Sequence, residues 1–191
     1  MPTTAWSEVR LALVGALRLA RGDRGGLSCF DRSIDGFWRS FRAAAIAYPL
    51  YLMLLSMRVT IAEWERSGGL LIVTVETIAY VMAWVAFPLI MLTVTRWVGR
   101  AHRFFDFMVP YNWSQVPQSA LFVLVGLESE SGVLPAGLAQ GVEIAAAVAV
   151  LVYEWFIARV ALDATASTAA LVVFVDLFLG VLISHIAGSL Y

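Results

Sequence analysis

Apolar residues fall into five stretches, at 43–61, 70–95, 104–126, 133–158 and 166–190. A helix crossing a bilayer needs about 20 mostly apolar residues, and each stretch meets that length. The connections between them are short: AEWERSGG, RWVGRAHR, ESESG and the segment around Arg159 and Asp163. None is long enough to house a soluble catalytic domain. The pattern predicts an all-α fold, a polytopic five-helix transmembrane bundle over 43–191, preceded by a cytoplasmic or interfacial arm over 1–42.

The arm has its own periodicity. At 100° per residue, Trp6, Val9, Ala12, Leu13, Ala16 and Leu17 share one face of a helix over 5–21, whereas Ser7, Glu8, Arg10, Arg18 and Arg21 lie opposite. Such an amphipathic N-terminal helix suits the membrane interface, with arginines near anionic headgroups. Packing on the rest of the protein suits it equally. GDRGG at 22–26 ends it. MPTTAWSEVR lacks the apolar run of a secretory signal. Further on, Phe37, Trp38 and Phe41 form an aromatic belt before the first span, and Asp35 and Arg39 have the i,i+4 spacing of a helix-surface pair.

Composition strengthens the membrane reading. Hydrophobic residues make up 61% of the 191 and charged residues only 14%, against about 25% charged in soluble domains. The net charge of −1 gives no field to recruit nucleic acid. All 13 basic residues are arginine. With the N-terminus inside, 11 of them fall on cytoplasmic segments and only Arg58 and Arg66 outside. This asymmetry predicts that the N-terminus is cytoplasmic and the C-terminus outside. Cys29 is the sole cysteine, which excludes an intrachain disulfide and any CxxC site.

The third stretch is irregular. It carries Pro110 and Pro117 together with Asn112, Gln115 and Gln118, and a broken helix at membrane depth is expected there. The segments FRAAAIAYPLYLML at 41–54 and VPYNWSQVPQSALFVLVGL at 109–127, with the arm and five closely spaced spans, resemble bacterial Yip1-like five-span membrane proteins over residues 30–191. The resemblance implies a fold, a scaffold-like role and a place in the bacterial inner membrane. The DLYGP-like signature of eukaryotic members is absent, so their association with small GTPases is not implied.

Ionisable residues inside spans are costly and mark functional hypotheses. Arg58 and Glu76 lie near the outer ends of adjacent antiparallel spans and are placed to form an ion pair. Asp106 and Glu154 fall near the cytoplasmic edge, beside Arg103 and Arg159. Glu143 and Asp176 each lie ten residues into their spans, about 15 Å deep. With Asn112 and Gln115 they form a candidate midplane polar layer, in which at least one carboxyl holds a proton. Glu154 projects from nearly the same face as Glu143, three turns away.

Gly137, Gly141, Ala145 and Ala149 form an i,i+4 stripe of small residues, suited to close contact with another span, a partner protein or a second copy. There is no HExxH, GxSxG or P-loop motif. The two histidines, His102 and His185, sit at opposite membrane edges, so one chain cannot clamp a haem. No catalytic residue, metal or cofactor is expected. The reading favoured by the sequence is a non-catalytic Yip1-like scaffold or accessory subunit whose surroundings are membrane lipids. The alternative is a small-solute or proton-coupled transporter using the midplane carboxylates.

Overall fold

A computed structural model describes residues 5–191. Among the described residues there are eight α-helices and no strand: α1 (Ala5–Ala20), α2 (Ile34–Ser40), α3 (Arg42–Arg58), α4 (Ile61–Ser67), α5 (Gly69–Trp97), α6 (Phe104–Ser131), α7 (Ala136–Ala161) and α8 (Ala166–Gly188). Four segments are long and apolar enough to cross a membrane: Ile34–Arg58, Gly69–Trp97, Ala136–Ala161 and Ala166–Gly188.

The 104–126 stretch is not among these four, yet it lies at the centre of the bundle. It forms α6, against which α1, α2, α3, α5 and α7 all pack. Its polar and small residues lower its hydropathy but suit a helix surrounded by protein rather than lipid. Phe107, Met108, Val109, Asn112 and Ser114 are all at most 1% exposed. The break expected at Pro110 and Pro117 does not occur, because α6 runs through both as one helix. Each proline withdraws only one backbone donor, and packing on several sides holds the helix together.

Local chemistry sets the helix ends. α1 closes in a Schellman turn: Gly22 takes a φ of +77°, its N–H bonds the Leu19 carbonyl, and the Asp23 N–H reaches back to Arg18. Thr60 and Glu63 cap α4 reciprocally. Ser33 and Thr165 cap α2 and α8.

α1 packs on the protein at one end of the bundle. Ala12, Ala16 and Leu19 are buried, and the Tyr153 hydroxyl donates to the Ala16 carbonyl at 2.7 Å. The docking is close because Gly15 faces Gly26 in the following 3₁₀ turn, Arg24–Cys29. A Cβ on Gly15 would lie 2.9 Å from the Gly26 carbonyl oxygen. Trp6, Val14 and Leu17 point outward. Arg39 ties the arm together through Glu8, at 2.8 Å, and Asp31. These partners replace the Asp35 pairing expected from spacing, since they approach Arg39 from α1 and from the turn before α2. Phe37 is buried against Phe41, Phe104 and Phe105, so this part of the aromatic belt is core, whereas Trp38 stays exposed.

Candidate functional site

Two polar clusters sit inside the bundle. The first binds helices together at the α4 end. Glu76 on α5 is 1% exposed. Its carboxylate accepts from the Arg58 guanidinium of α3 at 2.6 Å, from Tyr191 at 2.7 Å and from Tyr51 at 2.5 Å. The main-chain oxygen of Tyr191 in turn accepts from Arg66 and Ser67 of α4, each at 2.9 Å. The anticipated Arg58 and Glu76 thus meet, within a network of phenols that the sequence reading did not include. With both carboxylate oxygens facing donors, this cluster reads as a brace.

The second cluster opens onto a cavity of about 600 Å³ between α5, α6, α7 and α8. Asp176 of α8 and Glu154 of α7 both line it. Tyr111 of α6 donates to the Asp176 carboxyl at 2.6 Å; Gln115 and Gln118 line the same space, and the Gln118 amide donates to the Ser114 hydroxyl at 3.2 Å. Glu154 is 8% exposed. Asp176 is partly exposed and lines the cavity. Trp84, Phe87 and Phe122 stand around them, and the Phe87 and Tyr111 rings lie 4.4 Å apart. No basic side chain lines the space.

Of the four residues assigned to a midplane layer, the structure brings Asp176 and Gln115 together. Asn112 borders the cavity but gives its amide to Ser40 at 2.8 Å, pinning α6 to α2. Glu143 lies elsewhere, exposed and accepting from Ser129 at 2.8 Å near the α6–α7 turn. The hairpin explains the exchange of partners. Counted from Asp163 in the α7–α8 turn, Asp176 is 13 residues on, Glu154 is 9 back and Glu143 is 20 back. At 1.5 Å per residue, Asp176 is offset by about 6 Å from Glu154 but by about 10 Å from Glu143.

Glu154 was also assigned to the edge beside Arg159. α7 continues to Ala161, which draws Glu154 two turns inside, while Arg159 turns away to the Ala164 carbonyl. Asp106 does remain at the edge, paired with Arg32 at 3.1 Å and Arg103 at 3.4 Å. The signal that was missed is the spacing of Tyr111, Gln115 and Gln118 at i, i+4 and i+7, one polar face of α6 turned toward Glu154.

Gly137, Gly141, Ala145 and Ala149 are exposed on the chain's outer surface, and a Cβ on either glycine would meet nothing within 4 Å. Among the described residues no group of three or more His, Cys, Asp or Glu side chains is placed to hold a metal ion.

No known protein family, curated protein or solved structure matches this chain. What it does is therefore argued from its own geometry.

Proposed function

We propose that this chain is a five-span integral membrane protein, with α6 as the protein-wrapped fifth span, and that it moves a small solute in exchange for, or together with, a proton held by Glu154 and Asp176. The observation that carries this reading is the pair of carboxyl side chains, Glu154 and Asp176, that line one cavity of about 600 Å³ with no basic side chain beside them. Carboxyls inside a membrane bundle are costly unless they serve relay or binding, and simple helix adhesion needs no cavity beside them. The 11-to-2 arginine split supports an inner-membrane orientation with the N-terminus cytoplasmic.

A second reading, a non-catalytic Yip1-like scaffold or accessory subunit, is favoured by the outward small-residue stripe on α7, which suits a partner helix. Proteoliposomes with an entrapped pH dye, under an imposed potassium diffusion potential, separate the two. The transport reading expects protein-dependent proton entry that Asp176→Asn and Glu154→Gln each abolish and Glu143→Gln preserves. Absence of flux, or flux untouched by both substitutions, favours the scaffold.

A further inference from the structure

We propose that the cavity binds a hydrophobic organic monocation, such as a substituted amine or a quaternary onium, with its charge against the Asp176–Glu154 pair and its body between aromatic walls. The assignment rests on the reading that this cavity is the working site, and it specifies the ligand that reading left open.

Charge comes first. With the one shared proton proposed above, the two carboxyl groups carry a net charge of −1, and no arginine or histidine lines the space to balance it. The Tyr111 hydroxyl solvates that charge through Asp176 but leaves it in place. An anion would meet repulsion on entry; a monocation would neutralise the pair without any proton having to leave.

The walls decide what kind of cation. Trp84, Phe87, Tyr111 and Phe122 border the space, and the faces of such rings attract cations that have shed their water. Around them the lining is mainly aliphatic, with Val150, Leu151, Leu177 and Val181. A small inorganic ion would gain nothing from these surfaces, and only two carboxyls face it. The volume of about 600 Å³ lies within the range of about 300–1,000 Å³ seen for drug-sized ligands. A predominantly apolar pocket with a few convergent polar groups is the usual form of such a site.

The cavity also has a direction. Asp176, Glu154, Tyr111 and Pro88 lie toward the α1 end, and Ser184, Phe122, Ala147 and Ala83 line its continuation toward the α4 end.

The test uses the purified full chain in detergent and two probes of the same shape and opposite charge, tetraphenylphosphonium and tetraphenylborate, followed by titration calorimetry. Saturable one-to-one binding of the phosphonium and none of the borate is expected. Asp176→Asn should weaken phosphonium binding by about tenfold or more. Trp84→Leu, which leaves both carboxyls intact, should weaken it about fivefold. Melting curves and gel filtration verify the fold of each variant, and Glu154→Gln stands in if Asp176→Asn does not fold. Equal binding of the borate, or phosphonium binding unchanged in folded carboxyl variants, overturns the assignment. If carboxyl-dependent proton flux in proteoliposomes persists while the phosphonium does not bind, the cation assignment is overturned and the proton site stands. If neither occurs, both are overturned.

Discussion

Removing the Arg58 guanidinium would leave a carboxylate stranded. Glu76 is 1% exposed, and three donors meet it, from Arg58, Tyr191 and Tyr51. Breaking a fully buried ion pair by removing one partner costs about 3–5 kcal/mol. The Arg58 side chain, however, is 47% exposed, so solvent screens part of its interaction. Arg58→Met should therefore destabilise the fold by about 2 kcal/mol. Tyr191→Phe, which removes one hydrogen bond to the same carboxylate, should cost about 1.5 kcal/mol. The double variant Arg58→Met with Glu76→Leu leaves no charge behind, so it should be more stable than Arg58→Met alone, with a coupling energy of about 1–2 kcal/mol. Unfolding in mixed micelles by increasing sodium dodecyl sulfate, followed by circular dichroism, measures all three. Full stability of Arg58→Met, or strictly additive effects in the double variant, would refute the brace.

Gly15→Ala should destabilise α1 docking by about 1–3 kcal/mol through overpacking against the Arg24–Cys29 turn, read as faster proteolysis of the arm; Gly141→Leu should leave monomer stability unchanged. Tyr153→Phe removes the buried bond to the Ala16 carbonyl and should cost about 1 kcal/mol, visible as accelerated amide exchange in α1. The Asp31 carboxyl is held below its ordinary value of 3.8, chiefly by hydrogen bonds from Ser33 and further by Arg39. Its contribution to the arm should therefore be complete above that value and disappear only as the pH falls below it, measured as amide protection of α2. A periplasm-active reporter should work when fused after Tyr191 and fail after Arg100, as the arginine split requires.

The reach of the sequence differs from one feature to the next. Hydropathy located the helices because burial in lipid demands long apolar runs. Arg58 and Glu76 were legible because short connections force antiparallel neighbours, which places the two at one level. The partner of Asp176 was not legible. A hydropathy window ending at residue 158 set Glu154 near the edge, whereas α7 runs to Ala161; an error of three residues moves a side chain by about 4.5 Å in depth. The seat of α1 was equally hidden, because it depends on two glycines, Gly15 and Gly26, meeting across a turn. No periodicity in hydrophobic residues encodes that contact.

The central claim is that Glu154 and Asp176 hold a proton between them within the bundle. Infrared spectroscopy of the protein in lipid at neutral pH tests it directly, through the carbonyl band that only a protonated carboxyl shows. The account predicts such a band, sensitive to deuterium exchange because the pair borders a cavity, and absent from the Asp176→Asn, Glu154→Gln double variant. A spectrum with carboxylate bands alone, or a carboxyl band that survives both substitutions, would contradict it.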